Sequence, residues 1–240
     1  MPALTALDSL GARAAPGRRL AIIDASVAVT GFAALVAWDA TGMDITVMRW
    51  LGGSGGFPWR DHWLTAGVLH GGIRYLAWGL LAALLAGLWR PWGPLRALSK
   101  AQRLWMLCTT VACAALIPRI KRLSATSCPW SLAEFGGSAV QYVPHWVGGV
   151  TDGGPGGCFP SGRVSTAFAF LAAWFVLRDT APSDARRWLA ITLVAGVVLG
   201  AVQVARGAHY PSHPLWTAWI CWVVSALAFH ILRPRATLPP

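Results

Sequence analysis

Hydrophobic residues fall into six runs along the chain, at roughly 20–38, 73–89, 104–118, 164–177, 187–205 and 214–232. About 20 apolar residues in α-helical form cross a hydrocarbon core roughly 30 Å thick, and each run approaches that length once its flanks are included. The pattern predicts an all-α integral membrane bundle of about six transmembrane helices, forming one membrane domain over 1–240. The third and fourth runs are short, and polar residues extend them, so these two helices are expected to project from the bilayer or to line a polar cleft. The first run follows Arg13, Arg18 and Arg19 and extends from Leu20 to Trp38 with no small-residue cleavage site after it. That favours a retained signal anchor over a cleaved leader.

Two long polar segments separate the runs. Residues 39–72 carry Gly52-Gly53-Ser54-Gly55-Gly56 and then Phe57-Pro58-Trp59, a turn region followed by an interface-like aromatic stretch. Residues 119–163 are rich in glycine and broken by Pro144 and Pro155. Basic residues give the orientation. One side receives Arg13, Arg18, Arg19, Arg90, Arg96, Lys100, Arg103, Arg178, Arg186, Arg187, Arg233 and Arg235, twelve of the 20 lysines and arginines. The positive-inside rule then places both termini in the cytoplasm and both long segments outside. Asp24, near the start of the first run, is expected at the membrane interface; deeper in a span it would suit a transporter or scaffold.

Composition strengthens the membrane reading and narrows the partners. Of 240 residues 55% are apolar and only 12% are charged, against roughly a quarter charged in soluble domains. The net charge of +11 sits in clusters between apolar runs, which is how cytoplasmic loops meet anionic headgroups and not how a nucleic-acid-binding face is built. The expected partners are membrane lipids, and no nucleic acid.

Three polar stretches fall on one side of the membrane. They are Lys121 to Trp130, then Cys158-Phe159-Pro160-Ser161-Gly162-Arg163, then Arg206-Gly207-Ala208-His209-Tyr210-Pro211-Ser212-His213. Each has a structural reading: a lysine anchors a span, and Pro-Ser-Gly starts a helix. His209 and His213, four apart, can share a helical face and hold a metal, can pair by hydrogen bonding alone, or can serve phosphoryl transfer. Against the metal, no glutamate follows His209 and Pro211 interrupts the pair. In order and on one side, the three stretches supply what phosphoryl transfer needs: cations and N–H groups for phosphate oxygens, and an imidazole nucleophile.

These stretches resemble the type 2 phosphatidic acid phosphatases, integral membrane enzymes that hydrolyse lipid phosphates without a metal. That family carries KxxxxxxRP, PSGH and SRxxxxxHxxxD. Lys121 and Pro129 fit the first motif, Pro160-Ser161-Gly162 the second and His209 the third, within a family-like core of about 104–232. The resemblance implies that Lys121, Ser161 and the Gly162 N–H grip phosphate while His209 forms a phosphohistidine, with no cofactor and no metal. Cys-Pro-Trp and Arg-Gly-Ala-His resemble a bacterial subgroup acting on envelope lipids, which implies an inner-membrane protein with its site facing the periplasm. Four positions depart: Cys128, Arg163, Gln203 and His213 stand for arginine, histidine, arginine and aspartate. Arg163 and Arg206 are candidates to supply the missing guanidinium contacts, and His213 to orient His209. Arg163 cannot act as an acid near neutral pH, which favours diphosphate substrates such as undecaprenyl diphosphate unless His145 or His213 donates the proton. The departures also admit a relative that binds lipid phosphate with little or no turnover, a sensor or carrier. Cys128 and Cys158, placed together in an oxidising compartment, are expected to form a disulfide.

Overall fold

The computed structural model describes residues 2–232 and is predominantly helical, with isolated bridges but no strand among the described residues. Arg233 and Arg235, counted in the charge asymmetry, lie outside the described residues. Helix α1 (Pro2–Ala40) is followed by the short α2 (Met43–Leu51); a π-helical segment Trp63–Gly72 leads into α3 (Ile73–Ala86), and α4 spans Lys100–Leu123. The fourth apolar run is broken into α5 (Ser165–Phe168), a 3-10 turn Ala169–Leu171 and α6 (Ala172–Leu177). Helices α7 (Pro182–Ala205) and α8 (Ser212–Leu232) complete the bundle. Among the described residues five helices are long and apolar enough to cross a membrane, and the chain is a multi-pass membrane protein.

The second span begins at Trp63, earlier than hydrophobicity alone predicts, because His62 caps it by accepting the Leu64 N–H at 3.3 Å. The third is longer than its apolar run because Ser99 and Gln102 form a reciprocal capping box at its start. Pro182 stands in the first turn of α7, where its missing N–H costs nothing. The fourth run keeps its predicted length but is buried almost throughout from Ser165 to Leu177, enclosed by its neighbours.

Helix α8 is the hub, packing against α1, α4, α5, α6 and α7. Its pairing with α1 is sewn by polar contacts along the apolar seam. Trp219 and Trp222 donate indole N–H groups to the carbonyls of Ala28 and Asp24 at 2.8 and 3.3 Å, and Trp216 donates to Asp39 at 2.9 Å. These tryptophans join helices, a use that an interfacial reading of indole rings does not anticipate; Trp78 and Trp89 remain exposed. Asp24 has partners that the sequence does not disclose. It is 2% exposed and accepts from both Arg178 Nη atoms at 2.8 and 2.7 Å, with His230 Nε2 at 2.8 Å. The Arg178 guanidinium lies over the rings of Phe175 and Phe229. Asp24 therefore ties α1 to the ends of α6 and α8, at the end of the bundle opposite the three polar stretches.

Breaking such a buried pair from one side strands a charge, at a cost of about 3–5 kcal/mol. Asp24→Ala is expected to lower the melting temperature in detergent sharply, and adding Arg178→Met should recover most of the loss; a small effect of Asp24→Ala alone would contradict this account.

Candidate active site

At the other end of the bundle the polar stretches converge, although they lie far apart in sequence. The long segment after α4 is fastened back onto itself. Asp152, 2% exposed, accepts from the Ser127 N–H and O–H at 2.6 and 2.8 Å and from Gly154 N at 2.9 Å. Gly157 N donates to Ser124 O at 2.7 Å and Cys158 N to Thr126 O at 2.9 Å. Cys128 and Cys158 are joined by a disulfide with their Cα atoms 5.0 Å apart, as their placement predicts. Trp130 N reaches Gly207 O at 2.9 Å, which brings the first stretch to the third. Gly207 has φ +68°, and a Cβ there would lie 2.2 Å from the Phe57 ring, so only glycine fits this turn.

Lys121, in the last turn of α4, runs over Gly162; a Cβ on that glycine would meet Lys121 Cδ at 3.7 Å. Ser161 is fully buried. Its N–H points to His213 O at 3.4 Å, its carbonyl accepts from Thr217 at 3.1 Å, and its Oγ has no protein partner. Arg163 faces Arg74 and Arg206, whose charges join burial in lowering its pKa. Arg206 is 6% exposed. It donates through Nε to the Arg60 carbonyl at 2.8 Å and lies over the Trp130 ring, which also carries the Arg60 guanidinium, while Nη1 is buried without a protein partner. Burial and the nearby Arg60 charge lower the Arg206 pKa, against Asp61, which raises it. Buried donors without acceptors beside crowded cations are what an anion site looks like when only protein atoms are considered.

His209 and His213 come together behind this cradle, with their Nδ1 atoms 3.5 Å apart. His209 Nδ1 is 3.6 Å from the Cys158 sulfur, and His213 Nδ1 is 3.2 Å from the Cys158 carbonyl oxygen. His213 is 1% exposed. His145 stacks flat on Phe159 with ring centroids 3.9 Å apart and meets His213 edge-on; burial lowers its pKa to about 4. Gln203 is buried, and its carbonyl accepts the N–H groups of Ala208 and His209.

The sequence pattern had no means of selecting Arg60, Arg74, Asp39, Asp44, His145 as a neighbour of His213, or Asp152. The acidic residues carried one faint signal: the chain has only nine, and two stand close together at the end of the first run. Asp44, His145 and His213 place ligand-type atoms within 4.8 Å of one another. The Asp44 oxygens, however, already accept from Trp38 Nε1, Ser212 N and Ser212 Oγ, which leaves the carboxylate poorly placed to ligate a metal.

The fold and this end of the bundle define a helical membrane protein that gathers cations and histidines at one face. The sequence model of the PAP2 superfamily matches residues 102–236, and the chain belongs to that superfamily, whose members are phosphatases. No curated protein and no solved structure matches the chain.

The disulfide closes a loop of sequence separation 30, for which loop entropy contributes about 3–4 kcal/mol. Alkylation of the denatured protein without reductant is expected to mark Cys108, Cys113 and Cys221 only; modification of all five cysteines would refute the bridge.

Proposed function

We propose that this protein is a membrane phosphatase or phosphotransferase acting on a lipid phosphate, with a preference for lipid diphosphates, through a phosphohistidine on His209. The observation that carries the reading is the pair of buried donors, Ser161 Oγ and Arg206 Nη1, that no protein atom satisfies. A phosphoryl group held by Lys121, Ser161, the Gly162 N–H and Arg206 would use both. His209 Nδ1 faces His213 and Cys158, and in this reading Nε2 is the atom that attacks phosphorus. The N–P bond forms as the bridging P–O bond breaks, the lipid moiety departs, and water or an acceptor hydroxyl then takes the phosphoryl group from His209.

A groove of about 260 Å³ supports a lipid substrate. Arg74, Gly162 and Arg163 stand at its polar end, and it continues between Trp78 and Leu81 of α3 and Ala114 of α4 over apolar surface. The proposed location is a bacterial inner membrane with both termini cytoplasmic and the site facing the periplasm. Basic-residue placement supports that orientation, and a disulfide suits the compartment.

The preference for diphosphates follows from Arg163. A monoester expels an alkoxide, the conjugate base of an alcohol that stays protonated far above neutral pH, so it needs a proton donor. A diphosphate expels a lipid phosphate with a second pKa of about 6, which leaves unprotonated and can pair with a guanidinium. The other candidate acids, His145 and His213, are buried, with a side-chain exposure of 5% for His145 and a residue exposure of 1% for His213.

Purified protein assayed against undecaprenyl diphosphate, phosphatidylglycerol phosphate, phosphatidate and lipid A, with and without chelator, tests the reading; phosphate-dependent stabilisation without release would favour a binding protein instead. His209→Ala and Lys121→Ala are each expected to keep the fold and lose at least about 100-fold in turnover, the scale of one oxyanion donor. A near-normal rate in His209→Ala would remove the phosphohistidine. Arg163→His should raise monoester hydrolysis more than diphosphate hydrolysis; a wild type that favours the monoester, with no gain from histidine, would refute the preference.

A further inference from the structure

Two buried carboxylates lie close to His145, and one of them also to His213. Asp44 is 2% and Asp39 8% exposed, and both lie outside the region matched to the superfamily. Asp44 grips the first residue of α8, accepting from the Ser212 N–H at 2.9 Å and from the Ser212 hydroxyl. Asp39 accepts from Trp216 one turn further on, and its Oδ2 lies 3.4 Å from His145 Nε2. His145 is clamped on Phe159 and stands edge-on to His213, whose Nδ1 is 3.5 Å from that of His209. A continuous line of buried polar groups thus runs Asp39, His145, His213, His209, with Asp44 alongside.

Among the described residues no lysine or arginine forms an ion pair with Asp39 or Asp44, and Asp39 Oδ1 is buried without a partner. Two neighbouring carboxylates without a cation are costly to bury. Their counter-charge arises during the reaction. When His209 Nε2 bonds to phosphorus, the neutral ring, which keeps its Nδ1 proton, becomes a phosphoimidazolium cation. A negative field already in place stabilises that cation more than the resting imidazole, which is the condition for lowering the barrier.

We propose that Asp39 and Asp44, acting through His145 and His213, are positioning residues that supply the negative charge behind the nucleophile, in the place of the aspartate that the family's third motif has at position 213. The inference rests on the phosphohistidine reading. No proton leaves His209 in this role; the carboxylates hold the histidines in orientation and stabilise the charge that forms.

The test uses the full chain in detergent, with Asp39→Asn, Asp44→Asn and His145→Gln, each alone and combined with His213→Asp. Against a lipid diphosphate, each single variant is expected to lower kcat at least tenfold with KM within twofold. In the His213→Asp background, where a carboxylate stands next to His209, the further loss should shrink to less than threefold. Equal losses in both backgrounds, or a loss confined to KM, would overturn the proposal. His145→Gln leaves the Asp44 contacts with α8 intact and keeps the test sound if Asp44→Asn fails to fold. A second measurement does not need turnover: carbethoxylation of His209 by diethyl pyrocarbonate at pH 8, located by mass spectrometry. Loss of the carboxylates should slow it at least fivefold, because the ring becomes less basic, whereas loosened packing would expose His209 and speed it. An unchanged or faster rate refutes the proposal. If the wild type releases no phosphate from any lipid tried, the functional reading fails, and the carbethoxylation rates still decide this one.

Discussion

Cys158 is the residue on which the site end of the molecule depends. Its sulfur is bonded to Cys128 in the first stretch, its N–H donates to Thr126 at 2.9 Å, and its carbonyl meets His213. It also stands immediately before Phe159-Pro160-Ser161-Gly162, so one residue touches all three stretches. The need for such a junction is physical. The segment after α4 contains no long helix and no strand among its described residues, so it cannot satisfy its backbone by regular structure, and glycine-rich chain loses much entropy on ordering. A covalent bond and the Asp152 hydrogen bonds provide the constraint that secondary structure does not.

With that segment fixed, the end of the bundle that carries His209 also holds Lys121, Arg163 and Arg206 and, from α1 and α2, the buried Asp39 and Asp44. The opposite end of the bundle uses the same kinds of residue for a different result. Asp24 is in contact with both Arg178 and His230 there. That pairing holds α1, α6 and α8 together at one end; at the other, the buried Asp39 and Asp44 have no lysine or arginine ion-pair partner among the described residues.

The helices were legible in the sequence because a bilayer demands long apolar runs, and each predicted run is helical. Boundaries were less so. Trp63–Gly72 reads as an interface stretch until the His62 cap is seen, and the ends of α4 depend on a capping box and on polar residues that hydropathy discounts. Within the candidate site, Lys121, Ser161, Gly162 and His209 were legible because they stand at motif positions, Arg163, Arg206 and His213 because they stand in or beside those motifs, and the disulfide because two cysteines shared a segment. Asp39, Asp44, Arg60, Arg74 and the place of His145 beside His213 were not, since that proximity follows from how distant segments pack, and no local pattern encodes it. The partners of Asp24 were hidden for the same reason, although its place near the end of the first span was readable from sequence.

The four departures from the family motifs change meaning once they are seen in space. Read along the chain, they are separate losses: an arginine at 128, a histidine at 163, an arginine at 203 and an aspartate at 213. In the structure Cys128 is used for the bond that assembles the site. Arg206, one turn beyond Gln203, brings a guanidinium back beside Arg163 and Trp130. Position 213 has lost its carboxylate, yet carboxylates from α1 and α2 reach the histidine that replaced it by way of Ser212 and His145. A motif records which positions usually meet a chemical requirement, whereas the requirement itself is for charge and hydrogen bonding at a point in space. Several residues can meet it from different parts of a bundle. The histidine of the second motif is the exception, because the arginine that replaces it does not donate a proton near neutral pH. That single uncompensated change is what makes the leaving group, and not the nucleophile, the feature that would set this chain apart.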